Sequence, residues 1–392
     1  MERQDNQKRS STSDLPPVPK RDYFLLPLLS FLTILLMFGA SEIFTRLLWV
    51  QHKSYACVIE DPVAGDRFIP NCTERAKLAE GPWVTYSYNN CGYRSITPCG
   101  PKPPGGLRIA ITGSSMSQAL HVSYEDTFFD RASRELASRC GRPVDVQNLG
   151  VPGLSPIYAY RRIPEALSLQ PDVVLYLVTP FDLEQKILPG ELAERDNPTR
   201  ISPTPAAKLA ANPLRDFEHL LIQSRTVLVA QHFIFQNRET FIRVFMVYRD
   251  RADFLRQPFT AAWQQRFADF DVIIGSVAEK VRAAGVPLII VPVPSRVEAA
   301  LLSSPQLPPQ VDPYAFGREI EAIASKHGAG YLDLMKPISD IPNAENLYYT
   351  VDGHVAADGH KVIAEELVRK LLDGSVPAFS RCAQRPSAER SQ

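Results

Sequence analysis

Three hydrophobic patterns follow one another along this chain. The first is an uncharged run from Tyr23 to Ala40, continued to Val50 by a helix-compatible stretch carrying Glu42 and Arg46 near its far end. At one helical rise per residue it is long enough to span a bilayer. The second is a short aromatic alternation, Trp83-Val-Thr-Tyr-Ser-Tyr88, which predicts a strand with one buried face. The third begins at Leu107. Strand-like runs at 107–112, 144–148, 173–178 and 288–293, most of them largely apolar, with a shorter one at 331–334, are separated by amphipathic stretches near 128–140, 158–167, 260–284, 312–327 and 360–371. Strands alternating with helices predict a parallel sheet with helices on both faces, and strands apolar throughout are what such a sheet requires.

These patterns divide the chain into a polar tail (1–22), an anchor helix (23–50), a Pro- and Gly-containing lead-in packed on the main domain (51–106), an α/β domain (107–372) and a C-terminal tail (373–392). The α/β domain is interrupted at 186–258, first by a turn-rich stretch from Pro189 to Pro213, then by helical periodicity through Phe217, Val227, Phe233, Phe241 and Phe245. That insertion suits a packed helical unit, a lid over the strand ends, or a surface for an envelope protein partner. No internal repeat is evident.

Charge and cysteine usage then narrow the setting. Lys and Arg number 43 against 43 Asp and Glu, so no basic excess points to nucleic acid. Lys8, Arg9, Lys20 and Arg21 precede the apolar run, which predicts a cytoplasmic N-terminus and an exported body held single-pass at the inner membrane. The small-residue site Gly39-Ala-Ser41 offers signal-peptide cleavage as the rival. All six cysteines follow the apolar run, as an oxidising compartment favours. Proximity pairs Cys57 with Cys72 and Cys91 with Cys99, leaving Cys140 to tie down Cys382; no C-x-x-C spacing suggests a metal or redox site.

Candidate chemistry lies at the strand ends. Ile109-Ala-Ile-Thr-Gly-Ser-Ser-Met-Ser117 reads as a buried strand closing on a turn that lifts Ser115, without the second glycine of the G-x-S-x-G elbow. Near the C-terminus, Asp352-Gly-His354 places a carboxylate two residues from an imidazole; Asp352 can bond one ring nitrogen and free the other to take a proton from a serine. Asp358 is the expected N-cap of the last helix, and His360 the expected packing residue. Asn148-Leu-Gly-Val-Pro-Gly153, after the second core strand, can aim a backbone N–H at the same edge, as an oxyanion needs. His354 and His360 lack the i, i+4 spacing of a helical zinc pair, so no metal is expected.

Taken together, Gly113-Ser-Ser115 with Glu125-Asp-Thr-Phe128, Asn148-Leu-Gly150, Asp352-Gly-His354 with Gly359-His360, and the lead-in Asn89-Asn-Cys-Gly-Tyr-Arg94 resemble the SGNH, or GDSL, hydrolase superfamily, in its membrane-anchored bacterial form. The resemblance implies a flavodoxin-like three-layer α/β/α sandwich with a mostly parallel sheet. It also implies Ser115 as nucleophile, His354 as general base and acid, Asp352 as its orienting carboxylate, and the Ser115 and Gly150 N–H groups in an oxyanion hole. Two departures stand out: Ser114 replaces the usual Asp of the first block, and Thr179-Pro-Phe-Asp182 replaces the third, so that Phe181 stands where an Asn would donate to the oxyanion. Thr179 or a donor from the insertion could substitute. The function implied is a cofactor-free esterase or O-acyl (acetyl) transferase acting on an acylated envelope glycan or lipid-linked ester. A non-catalytic glycan-binding or assembly protein of the same fold is the alternative.

Overall fold

The computed structural model describes residues 19–185, 187, 190–196, 223–247 and 249–382. Pro189 and residues 197–213 of the turn-rich stretch, Phe217, and the last ten residues lie outside this set.

Helix α1 (Asp22–Leu48) is 27 residues of almost wholly exposed apolar side chains. At ~1.5 Å rise per residue it measures about 40 Å, longer than the hydrocarbon core of a bilayer. The lead-in forms two antiparallel hairpins: β1 (Val58–Asp61) with β2 (Gly65–Phe68), and β3 (Thr73–Lys77) with β4 (Trp83–Ser87). In β4 the predicted alternation holds, with Val84 and Tyr86 buried and Trp83 outward. The β1–β2 hairpin carries no apolar alternation, so the sequence pattern does not reveal it.

The main sheet joins β5 (Leu107–Thr112), β6 (Val144–Asn148), β7 (Val173–Val178), β8 (Leu288–Pro292) and β9 (Gly330–Tyr331), all parallel, in the order β6-β5-β7-β8-β9. This is the flavodoxin-like order. A single turn of helix, α2 (Ser115–Gln118), follows β5. Side-chain alternation divides each strand between two cores, as a doubly covered sheet requires. Ile109, Ile111, Leu175, Leu177 and Val291 meet α3 (Phe128–Cys140) and the last helix on one face. Ala110, Val174, Tyr176 and Ile290 meet the other layer. That layer comprises α4 (Pro156–Arg161), α5 (Ile163–Ser168), the helix Ala261–Ala283 and the helix Ala315–Lys326.

Some elements depart from expectation. The helix predicted over 158–167 is two, because Pro164 has no N–H to continue the first ladder. β9 ends at Tyr331 rather than Leu334, since the Asp333 carboxylate accepts from the Met335 N–H (2.8 Å) and turns the chain. Asp358 is not the N-cap of the last helix (Ala357–Leu371). Ala356 holds that position, its N–H bonded to Leu347 O (2.8 Å), and Asp358 lies in the first turn, where its charge suits the helix dipole. The three expected disulfides, Cys57–Cys72, Cys91–Cys99 and Cys140–Cys382, are all formed.

Thr179-Pro-Phe-Asp182 opens the short helix α6 (Pro180–Glu184). Within the described part of the insertion, α7 (Arg225–Ile234) packs on the C-terminal half of α1, while the next helix, Arg238–Val247, packs on Arg296–Leu302.

Candidate active site

Three loops at the carboxyl ends of β5, β6 and β7 converge where the sheet order reverses, the position at which open α/β sheets form their clefts. The turn after β5 is made tight by Gly113. Its φ is 137°, and a Cβ there would sit 2.6 Å from Leu177 O. Ser115 follows at the first position of α2, where its N–H has no intrahelical acceptor.

The last loop brings the acid–base pair to this turn. Ser115 Oγ lies 2.8 Å from His354 Nε2, and His354 Nδ1 lies 2.5 Å from Asp352 Oδ1, which also accepts from the His354 N–H at 3.2 Å. Burial alone would raise the Asp352 carboxyl. The hydrogen bond and charge of His354, with His121 beyond, outweigh it and hold the group at about 2. Asp352 is therefore anionic at neutral pH, and its bond to Nδ1 favours the tautomer that leaves Nε2 as a hydrogen-bond acceptor facing the Ser115 hydroxyl.

The oxyanion donors fare differently. The Gly150 N–H is engaged by Asn148 Oδ1 at 2.9 Å, and a Cβ at Gly150 would meet Ser117 Oγ at 2.1 Å, so glycine is demanded there by packing. Thr179 cannot serve as the substitute donor. Its hydroxyl donates to Asp182 Oδ2 (2.9 Å) and accepts from the Asp182 N–H (3.3 Å), forming the capping box of α6. The third block is thus a helix start. Burial pushes the Asp182 carboxyl up to about 6 against the hydrogen bonds of Ser114 and Thr179, and Phe181 sits edge-on to Phe254. Of the Ser115 N–H, the Gly150 N–H and the Thr179 hydroxyl, the Ser115 N–H alone is unengaged. His360 packs as expected, stacked on Phe128 with Nδ1 accepting from the Phe128 N–H (3.3 Å).

Two residues carry no signal in the sequence. His121, in the left-handed region at φ 66°, places its ring edge-on to His354 with 5.3 Å between centroids, and its Nε2 is 3.8 Å from Asp352 Oδ2. Its backbone is held on both sides, by the Tyr86 hydroxyl at the N–H and by the Tyr349 hydroxyl at the carbonyl, both at 2.8 Å. Burial brings the His121 imidazole down to about 4, so it is neutral at pH 7. Glu80 anchors the loop that carries Asp352. No local motif marks either residue, because each acts across a long stretch of chain. The possible ligand atoms of His121, Asp352 and His354 lie within 4.8 Å of one another, but both ring nitrogens of His354 are already in hydrogen bonds.

A cleft of about 300 Å³ opens on His354, Asp352 and His121. Its other walls come from the lead-in: His52, Lys53 and Tyr55, just past the end of α1, and Tyr86 and Tyr88. A second cavity, about 170 Å³, between Leu183 and Phe270, contains none of the three residues.

Fold and site together define a doubly wound α/β protein with a Ser–His–Asp hydrogen-bond chain at the strand ends, the arrangement implied by the SGNH resemblance. Among solved structures the chain is similar to that of TesA (TM-score 0.37, 15% identity, 68% of this chain and 98% of that one). It is similar likewise to a lipase/acylhydrolase from Enterococcus faecalis (0.38, 14%, 68% and 95%) and to the acetyl xylan esterase AlAXEase (0.39, 13%, 67% and 99%). No family model and no curated protein matches the sequence.

Proposed function

We propose that this chain is a membrane-anchored, exported serine esterase or O-acyltransferase of the SGNH class. The observation that carries the reading is the Ser115 Oγ to His354 Nε2 distance of 2.8 Å, with Asp352 behind the imidazole. Ser115 attacks the ester carbonyl as His354 takes the hydroxyl proton. The imidazolium, paired with Asp352, returns that proton to the departing alcohol. Water, or a sugar hydroxyl, then resolves the acyl-enzyme with the same base. A cleft walled by the residues that follow α1 suits an ester presented close to a membrane, such as an acylated envelope glycan or a lipid-linked donor.

The test is hydrolysis of p-nitrophenyl acetate by the detergent-solubilised chain beside Ser115→Ala. Turnover abolished by the substitution supports a serine esterase; equal rates, with and without an added glycan acceptor, refute it. One observation favours the second reading, a non-catalytic glycan-binding or assembly protein: the Thr179 hydroxyl and the Gly150 N–H are both engaged, leaving a reduced oxyanion hole. Loss of one such donor costs roughly 3–4 kcal/mol, about a hundred- to thousandfold in rate, and loss of both about twice that free energy. That slows an enzyme without abolishing it, and the intact triad favours the first reading.

A further inference from the structure

Asp352 and His354 stand on a partly exposed turn with little to hold it from within. It is closed by two backbone bonds, Gly353 N–H to Tyr349 O (3.0 Å) and Tyr349 N–H to His354 O (2.9 Å), around Gly353 at φ 83°. The Val351 and Asp352 N–H groups point the other way, and both end on one carboxylate. Glu80 accepts from Val351 N–H at 2.9 Å and from Asp352 N–H at 3.0 Å through Oε2, while Oε1 takes His232 Nδ1 at 2.6 Å. The Glu80 side chain is 2% exposed.

His232 belongs to α7, and α7 is fastened to the end of α1. Glu42 accepts from Ser224 Oγ (2.7 Å), Arg225 N–H (2.9 Å) and Thr226 N–H (2.9 Å), so a side chain of α1 caps the inserted helix. Trp49, which terminates α1, lies edge-on to the His232 ring at 4.8 Å. The contacts run unbroken from α1 through α7 and Glu80 to the backbone of Asp352.

We propose that Glu80 is a positioning residue for the Asp352–His354 pair, and that the inserted helix α7, tied to α1 through Glu42 and Trp49, braces it through His232. This rests on the triad reading of Ser115, His354 and Asp352. Glu80 touches no reacting atom. By binding two successive N–H groups it sets where the Asp352 backbone begins, and a bond as short as that from Asp352 to His354 tolerates little displacement. A carboxylate suits such a position because it accepts all three bonds at once and is not rivalled by solvent at 2% exposure. The insertion then serves as a strut between membrane helix and acid–base turn.

The experiment compares the full chain in detergent with Glu80→Gln, Glu80→Ala and His232→Gln, with Ser115→Ala as background. A misplacement of about 1 Å costs about 100-fold in rate, so Glu80→Ala is expected to lower kcat by about that factor with KM within about twofold. Glu80→Gln and His232→Gln should fall between it and the native chain. The second readout is the downfield proton resonance of His354 Nδ1–H, identified by its loss in His354→Gln; it needs no turnover and should shift or broaden in Glu80→Ala and Glu80→Gln. An unchanged resonance with kcat within twofold of native in folded Glu80→Gln overturns the proposal while leaving the triad intact. A native chain no faster than Ser115→Ala defeats the triad reading instead, and the resonance alone then decides the role of Glu80.

Discussion

Replacing Asp352 by Asn isolates the step in which charge develops at the site. In the proposed mechanism the carboxylate does two things: Oδ1, 2.5 Å from Nδ1, sets the tautomer, and its negative charge faces the imidazolium that would form as Ser115 is deprotonated. Asn keeps the shape and loses the charge, and its side chain can face Nδ1 in either of two orientations. With its amide turned to Nδ1, the imidazole protonates on Nε2 and can no longer act as base, a change worth about 10⁴-fold in kcat in a triad of this geometry. With its carbonyl turned to Nδ1, the tautomer survives but the ion pair is gone, about 4 kcal/mol at ~4 Å and an effective dielectric of ~20, or about a thousandfold. Asp352→Asn should therefore lower kcat by about 10³–10⁴-fold with KM nearly unchanged, in steady-state hydrolysis of p-nitrophenyl acetate after subtraction of the Ser115→Ala rate. Because native Asp352 is held at about 2, titration of this carboxyl should contribute no limb to the native pH–rate profile above about pH 3. A kcat within tenfold of native, or a loss confined to KM, would refute the assignment of Asp352 as the orienting carboxylate.

Further expectations follow from the same geometry. Gly150→Ala forces a Cβ to 2.1 Å from the fully buried Ser117 Oγ and 2.8 Å from the Gln118 N–H; overpacking of about 1–3 kcal/mol should lower the melting temperature and the turnover together, whereas Gly100→Ala, with nothing within 4 Å, should do neither. Cys382→Ser opens a covalent loop with a sequence separation of 242, so the denaturant midpoint should fall by the equivalent of about 2–5 kcal/mol; an unchanged midpoint under oxidising conditions would contradict the bridge to Cys140. His360, held by burial at about 3, and His121, at about 4, are neutral in the fold, whereas the unfolded chain takes up protons near 6.5; their contribution to stability is lost as pH falls from about 6.5 toward 4. Glu298 and Asp182, raised by burial to about 7 and about 6, act oppositely over the same window, so the measurement is the stability difference between native and His360→Asn. That difference should shrink on acidification from pH 7 to pH 4, and parallel curves would exclude His360 as a source of the slope.

The fold was legible because its signals are local. Strands apolar on both faces, separated by amphipathic helices, can be buried only in a doubly covered parallel sheet, and they stand in the residues of β5, β7 and β8 themselves. The apolar run of α1 and the cysteine pairs 57–72 and 91–99 were readable for the same reason, with Cys140–Cys382 left as the remainder. Asp352 and His354, two residues apart, announced a carboxylate–imidazole pair, and the turn after β5 announced Ser115.

Only the tertiary structure decided which polar groups are free. Thr179 and Gly150 had the chemistry of oxyanion donors, but a hydrogen bond formed inside the fold withdraws each: the capping box with Asp182, and the Asn148 side chain. Asp358 had the chemistry of an N-cap, yet the Tyr348–Val355 bridge and the Ala356 N–H bond to Leu347 set the helix start two residues too early for it to act as one. His121 and Glu80 carried no pattern at all. Their partners on the Asp352–His354 turn lie more than two hundred residues away, Glu80 being 271 before Val351, and contacts at that separation leave no periodicity or spacing in the chain because the fold, not the intervening sequence, brings the atoms together.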